Sequence, residues 1–466
     1  MYKSSSALSL DDNVPDAEAV PLQSLKRSSI DSLASSDLSQ LLADDASDAS
    51  SLDKPIDGGR QAWIVFFGCW IIEFTIWSLP LSYGVFQEYY SKHELFKSST
   101  AIPTVGTLTA GTSNLCMPFM SMVAARWPQY RRTQMIAGWV ICVIALLGAS
   151  LANSIETLLL YQGFLYGFGW VTHYTPVMFI LNEWFDKQRG LVYGILFSAS
   201  GVAGLGQPAL LNWMLRRFDF KITFRVYALA VICVSGPGLF LIRSRDVPRK
   251  PLVPTKALTS LRPIVRSLQF QLIAFAVFVQ GLGFFIPRIY INSYSSDLGL
   301  SQSSGAFLLA LISLSQVCGQ IGQGWVSDRL DVRIPMSVST LLCGLAALLL
   351  WGPAKTFWPL VFLALTWGLL SASYSVLYSR MCTFLVGKED IDRDSVVMLM
   401  YGIFSFERGI SGALAGPISS WLIGSSEQTI DLAAYGLGKY AGIVWFTGIC
   451  MLVAATMGIG RLLPLK

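Results

Sequence analysis

The chain has 466 residues, of which 53% are apolar and only 14% are charged, and its mean hydropathy is +0.53. Because soluble domains average roughly 25% charged residues, this composition indicates a membrane protein. The net charge of +5 does not indicate a nucleic-acid partner, since the location of the charges matters more than their sum. The eight cysteines and two histidines show no metal-ligand spacing, and nucleotide-binding and protease motifs are absent, so we expect no metal, no cofactor and no enzymatic activity.

The first 56 residues are rich in Ser, Asp and Leu and lack the apolar segment of a secretion signal. Such a segment buries too little apolar surface to offset the entropy of ordering, which predicts a disordered cytosolic tail over residues 1–56. Ser28 and Ser29 follow two basic residues and are candidates for phosphorylation, although a solvated tail without a switch is the simpler interpretation.

Apolar runs that are long enough to cross about 30 Å of hydrocarbon follow the tail, a crossing that takes roughly 20 helical residues. There are twelve such runs, at 62–86, 101–125, 133–152, 157–181, 190–211, 225–241, 269–290, 304–326, 335–352, 358–384, 395–423 and 440–462. A polar segment divides them six and six. We therefore predict an all-α membrane protein with a six-helix bundle at 57–242, a cytosolic linker at 243–268 and a second bundle at 269–466.

The basic residues predict the orientation of the chain. Most of the 34 Lys and Arg residues lie in loops on the same side as the N-terminal tail, and the segment 243–268 is especially basic. Because Lys-rich and Arg-rich loops stay in the cytosol, we expect both termini there. The plasma membrane is the expected location, and the vacuolar membrane remains an alternative.

Loop motifs connect the chain to a known family. Gly324, Asp328, Arg329 and Arg333 form the pattern GxxxDRxxxR after the eighth run, whereas Ala125 replaces the aspartate in the equivalent loop after the second run. This pattern resembles the loop motif of the major facilitator superfamily. The segments 57–63, DGGRQAW, and 184–190, WFDKQRG, resemble the fungal branch of the monocarboxylate transporter family. The resemblance covers about residues 57–462 and implies two six-helix bundles and secondary transport by alternating access.

The sequence departs from the animal lactate carriers of that family. Those carriers have a lysine after the proline of the first span, where this chain has Leu81 after Pro80, and an Asp/Arg pair in the eighth span, where residues 316–321 carry no charge. The expected cargo is therefore an organic acid or another small metabolite, with or without proton coupling. Export of a fungal secondary metabolite and a non-transporting nutrient sensor on the same scaffold remain alternatives. We expect a monomer in the lipid bilayer.

Charged residues inside the spans are candidate site residues, because each costs about 2.5–3.5 kcal/mol to insert and usually faces a cavity or a partner. The resemblance places spans one, four, seven and ten around a central cavity, and so places Glu73 and Arg288 near the substrate. Glu73 either carries a proton or pairs with substrate, or it bonds a neighbouring helix. Arg288 either pairs with an organic anion or extends to the lipid headgroups.

Polar and aromatic residues of the predicted cavity helices extend this site. His173 and Tyr174 precede Pro176 in the fourth span, and His173 is either a proton carrier or a buried, hydrogen-bonded histidine. A stripe at helical spacing in the tenth span and two residues of the seventh predict a pocket for a sizeable organic molecule. These residues are Trp367, Ser371, Tyr374, Tyr378, Gln280 and Phe284.

Glu407 and Arg408 lie in the eleventh span and point about 100° apart, so both cannot face one cavity. Glu407 is a further candidate for proton coupling. We expect Arg408 to tie the eleventh span to a neighbouring helix.

Asp328 is the main candidate for a gate between the two bundles. The resemblance places its loop beside the start of the fifth span, where a carboxylate bonds the free amides of a helix N-terminus. Such a contact closes the inner side of an outward-facing transporter. We expect Asp186, Lys187, Arg189, Arg329 and Arg333 to belong to the same gate. The fifth span is also rich in glycine, which lets two helices approach closely inside a bilayer.

Overall fold

The structure is a computed structural model that describes residues 57–99, 101–245, 261–371, 373–386, 393–425, 430–431 and 434–457. The predicted tail at 1–56 and most of the predicted linker at 243–268 lie outside the described residues. The part of the chain that is described is helical and contains no β-strand.

The passes of the first half are numbered α1 to α6. They are α1 Arg60–Leu81, α2 Ile102–Arg126, α3 Arg131–Ala149, α4 built from Ile155–Leu158, Leu159–Leu165 and Tyr166–Trp184, and α5 and α6, which are the two parts of Arg189–Leu241. A short helix, Tyr83–Lys92, follows α1, and the 3₁₀ turn Pro128–Tyr130 follows α2.

The passes of the second half are numbered α7 to α12. They are α7 Leu268–Asp297, α8 Gln302–Arg329, α9 Arg333–Ala346 with its extension Ala347–Trp351, α10 built from Phe357–Thr366, Trp367–Ser371, Tyr374–Val376 and Leu377–Val386, α11 Arg393–Gly424, and α12 Ala441–Met457. The backbone of α10 changes from α to π and 3₁₀ geometry in its middle. Irregular backbone at membrane depth occurs where it lines a cavity or is buried in protein, so this region marks the interior of the fold.

The hydropathy of the helices fits a chain that crosses the bilayer repeatedly. By length and composition alone, seven helices in the described ranges are apolar enough to span a membrane, and one of them, Arg189–Leu241, holds both α5 and α6. Helices α2, α4 and α11 are not among these seven, and they bury polar side chains such as Thr112, Thr175 and Ser411. Large apolar side chains, including Phe119, Leu349 and Trp421, are exposed, as expected for residues that face lipid.

The turn between α5 and α6 differs from the predicted loop at 212–224. The helix continues through this region and is broken only at Asp219, which adopts a φ of 69°. Its carboxylate accepts bonds from the amide of Phe220, at 2.7 Å, and from the hydroxyl of Tyr89. Aspartate tolerates this left-handed conformation better than most residues, so a single residue makes the turn.

The two halves meet where α5 packs against α8 and α2 against α11. A side chain at Gly190 or Gly194 of α5 would collide with Gly324 or Gln320 of α8. On the other pair, Gly402 and Gly409 of α11 lie against Pro118 and Asn114 of α2. A Cβ at Gly201 would also collide with Val317 of α8, so the close approach that the glycines of the fifth span predict is confirmed from Gly190 to Gly201. A Cβ at Gly206 would meet no atom within 4 Å.

Candidate functional site

A cavity of about 950 Å³ lies between the two halves, and helices of both halves form its wall. Charged or aromatic side chains make up a large part of that wall. These residues are Glu73, Trp77, Trp170, Tyr174, Phe197, Phe284, Phe285, Arg288, Tyr378, Tyr401 and Arg408. The cavity thus combines flat apolar surfaces with one carboxyl group and two guanidinium groups inside the membrane, a combination suited to an amphipathic organic ligand.

Among the described residues, the cavity wall reaches exposed positions at one end of the molecule. Its wall extends through Gly84 to Asn292 and Ala306, which are exposed, near the end of α7 that finishes at Asp297. In the opposite direction the wall stops at buried residues such as Tyr401 and Gln320. We call these two ends of the molecule the Asp297 end and the Asp328 end.

Glu73 lines the cavity from the middle of α1 and is 1% exposed. Its Oε1 accepts a hydrogen bond of 2.7 Å from the indole Nε1 of Trp77, and its Oε2 has no hydrogen-bond partner. The ring hydroxyls of Tyr174 and Tyr401 interact with each other and lie within electrostatic range of this carboxyl group. Glu73 is therefore held in place through one oxygen, while the other is left for a proton or a ligand.

Arg288 lines the cavity from α7, where the two halves come together. Its guanidinium donates to Ser313 Oγ at 3.1 Å and to Gln316 Oε1 at 3.5 Å, both on α8. Gln316 in turn donates to Ser200 Oγ of α5 at 3.1 Å. All these partners are neutral, and no ion pair to Arg288 exists among the described residues. Its charge therefore remains uncompensated.

Arg408 also lines the cavity, from α11, and this changes the role expected for it. Its NH1 donates to Gln280 Oε1 of α7 at 3.2 Å and to the hydroxyl of Tyr378 of α10 at 3.1 Å. The guanidinium lies 4.2 Å from the centre of the Phe284 ring. Arg408 does connect α11 to two neighbouring helices, as predicted, but it is also a cavity residue, which the sequence did not indicate.

Several predicted site residues lie beside the cavity rather than in its wall. His173 is buried against α3, with Nδ1 2.7 Å from the carbonyl oxygen of Met135, and its Nε2 has no hydrogen-bond partner. Trp367 donates to the Phe284 carbonyl oxygen at 3.2 Å, and Ser371 accepts from Gln280 at 3.3 Å. Trp367 and Ser371 therefore do not line the cavity but contact residues of α7 next to it. Tyr374 is fully buried. Glu407 does not line the cavity, and its Oε2 is buried without a hydrogen-bond partner.

Asp328, near the C-terminal end of α8, lies beside the start of α5 and forms hydrogen bonds from one half of the molecule to the other. Its Oδ1 and Oδ2 each accept a hydrogen bond of 2.8 Å, from the backbone amides of Gly190 and Leu191 respectively. These amides are among the first of the helix and have no partner within it, so a carboxylate satisfies both and faces the positive end of the helix dipole. The nearest cation is Arg380 at 3.7 Å, rather than Arg189 or Arg329.

The other predicted gate residues lie around Asp328 but have different partners. Arg189 is almost fully buried and pairs with Asp394 of α11 at 2.8 Å, and with Asp186 at 3.6 Å. Arg329 stacks on the ring of Trp325, and Arg333 pairs with Asp331 in its own loop. The pair of Arg189 with Asp394 joins the two halves.

The loop before α5 is fixed from the other side by Asp57. The carboxylate of Asp57 accepts hydrogen bonds from the backbone amides of Asp186, Lys187 and Gln188, at 2.7, 2.9 and 3.2 Å. The two segments that carry the family resemblance, DGG and WFDKQRG, therefore contact each other directly. This contact explains why an aspartate is useful at position 57.

The sequence profile of the Major Facilitator Superfamily matches residues 62–416. The chain belongs to this superfamily. MFS transporter asaE of Aspergillus flavus is 23% identical over 407 residues, covering 86% of each chain. The Fujikurins efflux protein of Gibberella fujikuroi is 25% identical over 418 residues, covering 88% of this chain and 86% of that protein. Monocarboxylate transporter 13 of Bos taurus is 25% identical over 376 residues, covering 79% and 84%.

Among solved structures, the major facilitator superfamily transporter FucP in the outward conformation is similar, with a TM-score of 0.65 at 11% identity. The match covers 86% of this chain and 100% of that one. The predicted all-α, twelve-helix major facilitator fold is therefore confirmed, as is the resemblance to fungal transporters and monocarboxylate transporters. The protein is a multi-pass membrane transporter and not an enzyme.

Proposed function

We propose that this superfamily member is a secondary transporter of organic acids that couples their movement to protons by alternating access. The observation that carries the proposal is the pair of cavity arginines, Arg288 and Arg408, neither of which is paired with a carboxylate in the described part of the chain. An unpaired charge at this depth is costly, and an anionic substrate would compensate it. The Arg189–Asp394 and Arg131–Glu183 pairs show that arginines elsewhere in the fold do have carboxylate partners.

The proton would be carried by Glu73, the only carboxyl group in the cavity wall. Its Oε2 is buried without a hydrogen-bond partner, so the group gains from binding a proton or a ligand donor there. Proton transfer at Glu73 changes the charge of a cavity that already holds two arginines. Protonation of Glu73 would therefore strengthen the binding of an acid anion in the same cavity, and the bound anion would strengthen the binding of the proton.

Transport into proteoliposomes tests this function. A panel of carboxylates is first screened for those that raise the melting temperature of the purified chain, and uptake of the best one is then followed with and without a pH gradient. If one proton crosses with each singly charged carboxylate, no net charge moves, and we expect the carboxylate to accumulate about tenfold for each unit of the pH gradient. Failure of every carboxylate both to bind and to be taken up would contradict the proposal.

Replacing Glu73 isolates the coupling step. In Glu73→Gln the side chain keeps an acceptor for Trp77 but cannot take up a proton, so a pH gradient should no longer drive accumulation. Exchange of labelled for unlabelled carboxylate should persist, because exchange needs no net proton movement. Glu94→Gln is the matched control, since Glu94 is exposed and pairs with Lys97. Full gradient-driven accumulation by Glu73→Gln would rule out its role.

Export of a larger metabolite is a second candidate function. Two relatives are named efflux proteins, the Fujikurins efflux protein and the Agnestins efflux protein AgnL12 of Paecilomyces divaricatus. The aromatic wall and the volume of about 950 Å³ also suit a ligand larger than a short carboxylate. Both candidates use the same cavity arginines, and the direction of net transport in proteoliposomes of known orientation distinguishes them.

The orientation that fits this function has both termini in the cytosol. We propose that the protein is a monomer in the plasma membrane or the vacuolar membrane. The Asp328 end then faces the cytosol, and the cavity opens to the opposite side. The basic residues of the loops support this orientation. Labelling of cysteines introduced at Lys97 and at Arg132, with a reagent that does not cross the membrane, tests it.

A further inference from the structure

The two cavity arginines sit at different depths. Arg288 is on α7 nearer the Asp297 end, and Arg408 reaches across from α11 to bond Gln280, eight residues earlier on α7. At a rise of 1.5 Å per residue, the two positions on α7 are about 12 Å apart along the helix axis. Phe284 lies between them and stacks against Arg408. The cavity therefore has an outer cationic position and an inner one.

The inner arginine has one edge free. Its NH1 is engaged by Gln280 and Tyr378, whereas its Nε and NH2 have no hydrogen-bond acceptor in the part of the chain that the structure describes. A carboxylate binds arginine through two parallel N–H groups, and the Nε and NH2 edge offers that geometry. Arg288 is different, because its NH1 and NH2 donate hydrogen bonds to α8 and only its Nε lacks an acceptor among the described residues.

The inner arginine is also held rigidly by residues behind it. Gln280 is fully buried and donates to Ser371 Oγ at 3.3 Å while it accepts from Arg408. The Phe284 ring supports the flat face of the guanidinium at 4.2 Å. Gln280 and Ser371 are thus positioning residues, and they fix the open edge of Arg408 in one orientation. A prealigned donor pair binds an anion with less loss of entropy than a mobile one.

We propose that the inner position is a second acid-binding subsite and that the preferred substrate is an organic diacid, with one acid group at Arg288 and the other at Arg408. This proposal rests on the proposed function, since it specifies the class of organic acid. A monoacid compensates one arginine and leaves the other unpaired in a low-dielectric cavity, which is unfavourable. A diacid compensates both and places its carbon chain along Phe284.

Matched ligands separate a diacid site from a general acid site. Each member of a straight-chain α,ω-dicarboxylate series is compared with its monomethyl ester, which has nearly the same length and one charge less. Binding to the purified full chain is measured by titration calorimetry. For at least one chain length we expect the diacid to bind tenfold or more tightly than its ester. Equal affinities at every length would overturn the proposal.

Variants then assign the two acid groups. We expect Arg408→Gln and Arg288→Gln each to reduce diacid affinity to that of the monomethyl ester, and Arg132→Gln, at an exposed residue away from the cavity, to leave the diacid preference unchanged. A diacid preference that survives in Arg408→Gln would overturn the assignment. Gln280→Leu provides a second variant, because it keeps the charge of Arg408 but removes its orienting acceptor. It should reduce the diacid preference without weakening ester binding, and an unchanged preference would count against the subsite.

The result also distinguishes failure of the inference from failure of the proposed function. If esters and diacids bind equally and transport is proton-coupled, the organic-acid function stands and the second subsite is refuted. If no carboxylate binds or is transported, the proposed function itself fails.

Discussion

The two ends of the molecule are held together in different ways. At the Asp328 end, polar contacts join one half to the other: Asp328 to the amides of Gly190 and Leu191, Arg189 to Asp394, and Asn182 to the sulfur of Met398. At the Asp297 end, the polar contacts remain within one half, as when Lys439 and Tyr440 both bond Asp297. The first half shows the same pattern there, with Tyr89 on Asp219 and Lys221 on Asn153.

The difference identifies which contacts control the conformation. A contact between the halves must break when one half rotates against the other, whereas a contact within a half moves with it. Helix packing and charge close the structure at the Asp328 end. Along α11, a Cβ at Gly402 or Gly409 would collide with α2, whereas a Cβ at Gly416, nearer the Asp297 end, would meet no atom within 4 Å. Mutations at the two ends should therefore have different effects, on conformation at one end and on stability at the other.

The largest effect is expected where the helix backbones touch. A side chain at Gly324 would meet the carbonyl oxygen of Gly190, so we expect Gly324→Val to keep α5 and α8 apart at the Asp328 end. Overpacking costs about 1–3 kcal/mol, and a collision with backbone atoms belongs at the upper end of this range, which predicts a fall in transport rate of about a hundredfold. Hydrogen exchange of the amides at 186–194 should increase, because the closed end opens.

A glycine two residues earlier on the same helix supplies the control. Gly322 is exposed and has no neighbour within 4 Å, so Gly322→Val adds the same side chain without touching α5. We expect near-normal transport and exchange in this variant. Equal losses in both variants would mean that valine harms α8 itself, and the argument from close packing would fail.

Part of this comparison was accessible from the sequence. The glycine spacing is a local feature of the chain and predicted close packing of the fifth span, whereas the position of Asp328 beside that span came from the family resemblance that the GxxxDRxxxR pattern carries. A charge inside an apolar run indicated only that Glu73 and Arg288 face a cavity or a partner, and the resemblance placed them near the substrate. Both residues line the cavity.

Other features depend on how helices rotate against each other, which one sequence does not reveal. The choice between Glu407 and Arg408 for the cavity needed the orientation of α11, and His173 proved to face α3 because of the orientation of α4. The ion pair of Arg189 with Asp394 joins residues that are 205 positions apart. No spacing rule predicts such a contact, so this part of the closed end was missed.

A smaller effect is expected for the charge of Asp328. Asp328→Asn keeps one acceptor oxygen but turns its side-chain NH2 group, a hydrogen-bond donor, toward the second backbone amide, and it removes the charge that faces the helix dipole. Hydrogen bonds to a charged group contribute about 1.5–3 kcal/mol, and because one acceptor is retained we expect the lower end of this range, a roughly tenfold loss of turnover. Substrate affinity should change little, because Asp328 lies outside the cavity wall.

The rate and the affinity must be measured separately in this variant. Initial uptake rates at saturating carboxylate give the turnover, and calorimetric binding gives the affinity. Asp331→Asn is the control, since Asp331 bonds Arg333 within its own loop. Unchanged turnover in Asp328→Asn, or a loss confined to affinity, would contradict a role in closing the Asp328 end.

The smallest effect on transport is expected at the Asp297 end, and it completes the comparison. Lys439 bonds Asp297 at 2.8 Å, and both side chains are partly exposed, so Lys439→Met should cost at most about 1 kcal/mol of stability. The melting temperature should fall by about 2 °C or less. Turnover should stay within about twofold of normal, because this pair lies within the second half and keeps its geometry when the halves rotate. A turnover loss comparable to that of Asp328→Asn would show that contacts within a half also govern the conformational change, and the distinction between the two ends would have to be abandoned.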